Sequence, residues 1–238
     1  GIKALMFSAD YFPDDEAAKP SKLDLWLEKH VPAEKMQSVV TGVSLVLSLA
    51  LTLGLFMLLP TFVAGLFHAK SALVHNLIEG AIKIAIFLGY LILCSKQKDV
   101  HRVFQYHGAE HKTIFCYEAG LPLTVENVRK QSRFHPRCGT SFMILMLLVG
   151  MIVSMLIPDM NSVLRTVVKI LTIPVVVGVG YELIKLAGRR DNLFTRIISA
   201  PGLWMQRLTT KEPDDSMIEC AIAAMERVIP ADPEADKW

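Results

Sequence analysis

The segment VVTGVSLVLSLALTLGLFMLLPTFVAGLF, residues 39–67, decides the class of this protein because it contains no charged side chain. Its 29 residues exceed the roughly 20 that an α-helix needs to cross a bilayer. We place the span at 39–60, because Pro60 lacks a backbone N–H and is expected to end or kink a helix. The segment therefore predicts an integral membrane protein.

Three more apolar segments follow, at residues 72–95, 138–157 and 163–187. Apolar residues make up 52% of the chain and charged residues 20%, whereas a soluble domain has about 25% charged residues. A run of about 20 apolar residues indicates a transmembrane helix. The sequence thus predicts an all-α fold. It is a polytopic membrane helical bundle of about four transmembrane helices, with amphipathic interfacial and cytoplasmic helices.

The second apolar segment carries three ionisable side chains, His75, Glu79 and Lys83, in its first half. A spacing of four residues places them on one face of a helix. Ionisable groups within a span usually face a protein interior or a cavity. The alternative is that this half lies at the membrane interface, where Glu79 pairs with Lys83.

Basic residues indicate the orientation of the four helices, because short loops rich in Lys and Arg stay in the cytoplasm. The loop after the first span contributes only Lys70, and the loop after the third span only Arg165. We therefore predict a multi-pass protein of the cytoplasmic membrane, with both termini and the segment between spans two and three in the cytoplasm. That segment and the tail after span four hold most of the basic residues: Lys96, Lys98, Arg102, Lys112, Arg129, Lys130, Arg133, Arg137, Arg189, Arg190, Arg196, Arg207 and Lys211.

Three regions follow from these assignments. Residues 1–37 are an amphipathic N-terminal segment and linker, and residues 38–190 are a four-helix membrane domain with the polar cytoplasmic segment 96–137. Residues 191–238 are an interfacial helix and an amphipathic C-terminal helix. The last helix is expected to open at residues 213–215 (Pro-Asp-Asp), since proline suits the first turn and acidic residues suit its positive end.

The polar segment between the second and third spans holds the densest set of metal-binding side-chain types. Its clearest pattern is HGAEH, residues 107–111, in which positions i, i+3 and i+4 share one face of a helix. In enzymes with this HxxEH pattern, the histidines bind zinc and the glutamate is the general base for water. We therefore predict His107 and His111 as metal ligands and Glu110 as catalytic. One alternative is a surface helix turn with a Glu110–His111–Lys112 charge cluster. Another is a hydrogen-bonded His–Glu pair at a membrane interface.

A metal site needs a third protein ligand, and three side chains are candidates. Glu182 lies 71 residues after His111, near the predicted cytoplasmic end of the fourth span. His135 and Cys138 are nearer in sequence and lie at the entry to the third span. The sequence leaves these alternatives open, and the predicted cofactor is a divalent metal, with zinc expected from the ligand types.

Several other classes of protein lack support in the sequence. The four cysteines form no CxxC pair, which argues against a disulfide scaffold and a zinc ribbon. The net charge of +2 gives no field for nucleic acid. No GxGxxG, P-loop or GxSxG motif occurs, so nucleotide binding and a nucleophile-elbow hydrolase are unsupported.

Four separated segments, in order, resemble the YqhQ-like family of bacterial membrane proteins: HGAEHK (107–112), HPRCGTSF (135–142), YELIKLAG (181–188) and APGLWMQRLTTKEPDD (200–215). The resemblance covers nearly the whole chain. It implies a multi-pass protein of the bacterial cytoplasmic membrane, in a family labelled as predicted metal-dependent enzymes, and it supplies no substrate. Family members carry a further N-terminal segment, so we expect the natural protein to begin upstream of Gly1.

Three hypotheses for function follow. The first is a metal-dependent hydrolase that acts on a peptide, a lipid headgroup or an amide from the cytoplasmic side. The second is a non-enzymatic membrane scaffold or assembly factor that docks a cytoplasmic or membrane partner. The third is an oligomeric transporter or channel lined by His75, Glu79, Lys83 and Glu182. The expected partners are the lipid bilayer and either a protein or further copies of the chain, with no nucleic acid.

Overall fold

The computed structural model describes residues 7, 32–67, 71–158, 160, 162–189 and 192–232. Within these ranges every regular element is helical and none is a strand, which confirms the all-α prediction. Most of the predicted N-terminal segment 1–37 lies outside the described residues. The elements are, in chain order, α1 (Ala33–Leu53), a π-helical turn (Gly54–Leu58), α2 (Leu59–Gly65), α3 (Ala72–Cys94), α4 (Lys98–Glu118), α5 (Val125–Arg129), α6 (Gly139–Met155), α7 (Ser162–Arg189), α8 (Leu193–Thr209) and α9 (Asp215–Glu226).

The chain divides into two compact units, Gly1–Leu53 and Gly54–Trp238. In the first unit, the structure describes α1, whose apolar side chains are exposed, with Leu45 at 67% and Leu49 at 60%. A helix that is apolar on all sides suits a lipid environment, because it presents no polar stripe to water. The division into regions 1–37, 38–190 and 191–238 stays a prediction.

Three helical stretches are long and apolar enough to cross a membrane: Val39–Gly65, Ala72–Cys94 and Val167–Arg189. The remaining predicted span, 138–157, is the apolar helix α6. Its 17 residues cover about 26 Å, slightly less than the ~30 Å hydrocarbon core of a bilayer. Length and composition thus support membrane association through three helices, with α6 as a shorter fourth apolar helix.

Pro60 does not end the first apolar stretch, which continues to Gly65. The proline lies in the first turn of α2, directly after the π-helical turn. A first-turn proline removes an N–H that already lacks a helical partner, so the chain can stay helical through it.

Helix α6 is the central helix of the second unit, because α3, α7 and α8 all pack against it. The helices approach closely at glycines. A Cβ on Gly202 of α8 would lie 2.5 Å from the side chain of Ser141, and one on Gly80 of α3 would lie 2.5 Å from that of Met151. Buried apolar side chains fill the remaining space: Leu91, Ile144, Met205, Leu145, Val149 and Val176.

A separate apolar core joins α4, α5 and α9. Helix α9 begins where the sequence predicts, since the Asp214 side chain accepts a hydrogen bond from the Met217 N–H at 3.0 Å. The predicted apolar stripe of α9 then packs on α4 and on α5. The buried members of this core are Ala109, Cys116, Val128, Met217 and Ile218.

Candidate metal centre

His107 and His111 lie on one face of α4, as the HxxEH spacing predicts. Their ring centroids are 4.4 Å apart. His107 is half-buried and His111 is only 3% exposed. Residues 130–138 and 209–214 cover this face of the helix and contact both histidines. Two imidazoles that are both removed from solvent and both turned the same way can bind a single metal ion.

Cys138 is the third member of the group that could hold a metal ion. It is the N-cap of α6, where its Sγ accepts a hydrogen bond from the Thr140 N–H at 3.4 Å. The same Sγ lies 3.2 Å from Nε2 of His107. The ligand atoms of His107, His111 and Cys138 all lie within 4.8 Å of one another. In tetrahedral zinc sites the sulfur and nitrogen ligands are about 3.5 Å apart, so this group needs little movement to accept zinc.

Two backbone carbonyls orient the imidazoles. Nδ1 of His107 lies 2.9 Å from the carbonyl oxygen of Thr209, and Nδ1 of His111 lies 2.6 Å from that of Arg133. A carbonyl only accepts hydrogen bonds, so both Nδ1 atoms must carry their protons. Both Nε2 atoms then face Cys138 with a single thiol proton available between them. Histidines that bind a metal through Nε2 are commonly oriented in the same way, by a hydrogen bond from Nδ1 to a carbonyl or a carboxylate.

The charge state of Cys138 fits a metal ligand. Burial alone would raise the pKa of the Cys138 thiol, but hydrogen bonds with His107, His111 and Thr140 outweigh it and lower the pKa to about 5. Burial also acts to lower the pKa of His107, and it is outweighed by contacts with Cys138 and Thr209 that raise it. The thiolate is the form of cysteine that binds metals.

The other predicted site residues lie outside this group of three. His135 is buried, with its ring centroid 5.8 Å from that of His111, and its Nε2 lies 3.4 Å from a carboxylate oxygen of Glu118. Glu182 is exposed on α7, where it lines an apolar groove. Glu110 is exposed on α4, and its charge acts to raise the pKa of His107.

The family described as "Protein of unknown function (DUF1385)" matches residues 1–231. The chain belongs to this family. It is 40% identical over 242 residues to "Uncharacterized protein YqhQ" of Bacillus subtilis (strain 168), a match that covers 96% of this chain and 72% of that protein. These findings confirm the resemblance drawn from the four sequence segments. No solved structure matches the chain.

The residues that support the site in this family member include several that sequence reasoning missed. The fully buried side chain of Gln206 donates to the carbonyl of His135 at 2.6 Å and to Ser141 Oγ at 2.7 Å, and it accepts from the His135 N–H at 2.7 Å. It therefore fastens the segment before Cys138 to α8. Gln206 and Thr209 both lie in the APGLWMQRLTTKEPDD segment. Membership in this family-like segment was the only feature of the sequence that drew attention to them.

A strap formed by residues 210–214 holds the site from the other side. Lys112 is only 6% exposed, and its Nζ lies 2.9 Å from a carboxylate oxygen of Glu212. Arg133 donates to the same carboxylate at 3.1 Å and to the Thr210 carbonyl at 2.6 Å. These contacts stabilise the position of the Arg133 carbonyl, which in turn orients His111.

The site as a whole offers a metal three protein ligands from two elements. Among the described residues, no fourth His, Cys, Asp or Glu joins the group. Catalytic zinc sites typically have three protein ligands and a fourth position for water or substrate, whereas structural sites have four protein ligands. The number of candidate ligands is therefore the one typical of catalytic zinc sites.

Proposed function

We propose that this chain is a membrane-associated, zinc-dependent hydrolase whose metal is held by His107, His111 and Cys138. The observation that carries the proposal is the orientation of the two imidazoles. Backbone carbonyls 2.9 Å and 2.6 Å from their Nδ1 atoms turn both Nε2 atoms toward one thiol. A divalent cation suits this arrangement, because neutral imidazoles and a thiolate are the forms that bind metal.

Zinc would supply Lewis acidity to water and to a carbonyl or phosphoryl oxygen. Glu110 is the proposed proton acceptor for the attacking water, because it lies on α4 between the two histidines in sequence and interacts electrostatically with His107. His107, His111 and Cys138 would hold the metal, and the carbonyls of Thr209 and Arg133 keep the imidazoles in the ligand tautomer. Peptides, amides and lipid headgroups are the substrate classes within reach of a site next to membrane-length helices.

Elemental analysis of the purified full chain tests the metal. We expect one zinc per chain, and we expect the His107→Ala, His111→Ala and Cys138→Ser variants to lose it. The matched control is His101→Ala, an exposed histidine of the same helix, which should keep zinc. Cobalt substitution adds a second readout, since a Cys138 thiolate gives a sulfur-to-cobalt charge-transfer band that Cys138→Ser must lack. Protein that folds normally without any metal would contradict the proposal.

Burial of the ligands favours a second candidate, a structural metal that ties α4 to the start of α6 in a non-enzymatic scaffold. Two measurements separate the candidates. An open site lets azide or a hydroxamate change the cobalt spectrum, and a closed one does not. Glu110→Gln should keep zinc and abolish turnover of a fluorogenic peptide, ester or phosphodiester that the wild type cleaves. If Glu110→Gln and the wild type had equal zinc content and equal turnover, the proposed role of Glu110 would be contradicted.

A further inference from the structure

A second polar cluster lies at the opposite end of α6 from the candidate metal centre. Cys138 caps the first turn of α6 and Ser154 lies in its last turn, 16 residues later, which corresponds to about 24 Å along a helix. Near Ser154, helices α2, α3 and α7 bring several polar side chains together. We call Glu79, Lys83, Arg165 and Lys169, together with Asn76 of α3, the charge cluster.

Glu79 is the centre of the charge cluster and is only 3% exposed. One of its oxygens, Oε1, accepts hydrogen bonds from Lys169 at 2.6 Å and from Lys83 at 3.2 Å, and it lies 3.2 Å from the Thr61 hydroxyl, which also contacts the Met57 carbonyl at 2.9 Å. Its other oxygen, Oε2, is buried and has no hydrogen-bond partner among the described residues; His75 Nε2 lies 4.0 Å away. Both lysines thus bind the same oxygen of the carboxylate, Oε1.

Arg165 adds a third cation. Its guanidinium donates to Oδ1 of Asn76, and Asn76 in turn donates to the carbonyl of Ser154 at 2.7 Å. The buried Nε of Arg165 has no hydrogen-bond partner among the described residues. An N–H of a guanidinium that is removed from water needs an acceptor, since leaving it unsatisfied is costly.

The charges of the cluster do not balance. Among the described residues, Lys83 and Lys169 pair with the single carboxylate of Glu79 and Arg165 adds a further cation near Lys169, an excess of two positive charges. Lys83 and Arg165 are both close enough to Lys169 to repel it. Like charges that are removed from water are strongly unfavourable unless an anion accompanies them. The excess charge and the unpaired Arg165 donor both point to an anionic ligand.

The position of the cluster indicates where the anion comes from. Arg165 lies just before the apolar stretch Val167–Arg189 and Lys169 is its third residue, so both lie at the depth where lipid phosphates meet the hydrocarbon core. Exposed apolar side chains surround the cluster, with Leu73 at 52% and Ile170 at 49%. A ligand that reaches the lysines from this side carries an apolar tail.

We propose that the charge cluster binds the phosphate group of an anionic phospholipid, with Arg165 and Lys169 as donors. Glu79 holds the two lysines in place. Its second oxygen accepts a hydrogen bond from a hydroxyl of the headgroup. Phosphatidylglycerol has glycerol hydroxyls and therefore fits the cluster better than a lipid without them. Basic pockets between transmembrane helices are an established way to bind lipid headgroups.

Native mass spectrometry of the full chain in detergent tests the site. Phosphatidylglycerol, phosphatidylcholine and inorganic phosphate are titrated separately. We expect one phosphatidylglycerol per chain and at least about tenfold weaker binding in Lys169→Gln, since a charge-assisted hydrogen bond is lost. The matched control is Lys185→Gln, which removes a lysine from the other end of the same helix and should bind as the wild type does. Equal binding by all three proteins overturns the site.

Competition separates the two sources of phosphate. If millimolar inorganic phosphate does not displace phosphatidylglycerol, the lipid assignment is supported. If inorganic phosphate binds with the same dependence on Lys169 and phosphatidylglycerol does not bind, the lipid assignment is overturned and the cluster is a site for free phosphate. Equal binding of phosphatidylcholine also overturns it, because that lipid has no net charge.

A second variant covers the case in which Lys169→Gln does not fold. Arg165→Gln removes the donor whose buried Nε has no partner among the described residues and lowers the excess from two positive charges to one. We expect weaker binding of phosphatidylglycerol and a smaller rise in unfolding temperature when this lipid is added. Binding and a rise in unfolding temperature equal to those of the wild type would overturn the proposal.

Discussion

The carbonyls of Thr209 and Arg133 determine which nitrogen of each site histidine faces Cys138. Backbone groups make these contacts, so the side chains at the two positions give no hint of them. The Thr209 carbonyl keeps its place because the strap that follows it lies directly on α4, where the Lys211 N–H donates to the Phe104 carbonyl at 2.8 Å. This close approach depends on Gly108, since the Lys211 carbonyl oxygen occupies the space that a Cβ would take.

Gly108→Ala therefore tests whether the strap positions the metal ligands. The added methyl group meets backbone rather than a movable side chain, so we expect a loss of about 1–3 kcal/mol in the free energy of unfolding. Zinc affinity should fall as well, because the strap carries the partner of His107. Thermal unfolding and zinc titration measure the two effects. Gly139→Ala, also beside a ligand but with nothing within 4 Å of the new Cβ, should change neither.

At the scale of elements, α9 shows how two adjacent aspartates differ in importance. Asp214 caps the helix by accepting hydrogen bonds from the Ser216 hydroxyl at 2.7 Å and the Met217 N–H at 3.0 Å. These bonds, with that of Ser216 the largest contribution, hold the pKa of Asp214 below its ordinary value. Asp215 instead pairs with Arg129, and both side chains are more than half exposed. Exposed ion pairs contribute little to stability, whereas helix caps contribute more.

We expect Asp214→Ala to lower the unfolding temperature of the α4–α5–α9 core clearly more than Asp215→Ala does. Because the folded-state pKa of Asp214 is lowered, its contribution is complete above its ordinary pKa and is lost as the pH falls through the folded value. The difference between wild type and Asp214→Ala should therefore shrink in acid. Thermal unfolding at neutral and acid pH measures it. A larger effect of Asp215→Ala would show that the ion pair, not the cap, holds α9.

At the scale of the whole molecule, α6 separates two polar regions. Its N-terminus carries the Cys138 ligand and its C-terminal turn meets the charge cluster at Asn76. If the apolar stretches cross a membrane, the two regions face opposite sides of it. The basic residues of the central segment predict that the candidate metal centre faces the cytoplasm. On that prediction the charge cluster lies at the outer face.

Thiol labelling in intact spheroplasts tests this orientation. Cys220 of α9 is exposed, and Leu156, at the end of α6, is 79% exposed. We expect a membrane-impermeant maleimide to label Leu156→Cys in a Cys220→Ser background and to leave Cys220 of the wild type unlabelled until the membrane is permeabilised. The other cysteines are partly or fully buried, which keeps the background low. Labelling of Cys220 in intact spheroplasts would reverse the topology.

The sequence by itself determined the helical class, the positions of the apolar stretches, the start of α9 and the pairing of His107 with His111. These features depend on composition and on spacings of a few residues along one helix, which hydrophobicity and the 3.6-residue period specify locally. It also predicted that Pro60 ends or kinks the first span; the helix does not end there, because a proline in a first turn leaves the helix intact. The family followed from four separated segments.

Only the tertiary structure selected Cys138 from the three candidate ligands, placed Glu182 and His135 outside the group and assigned Gln206 and Thr209 to the support of the site. It also brought Lys169 of α7 to Glu79 of α3 and Arg165 of α7 to Asn76 of α3, which no spacing along the chain predicts. The physical reason is the same in each case. These contacts join residues that are 27 to 102 positions apart, and their distances depend on how α6 packs against α3, α7 and α8.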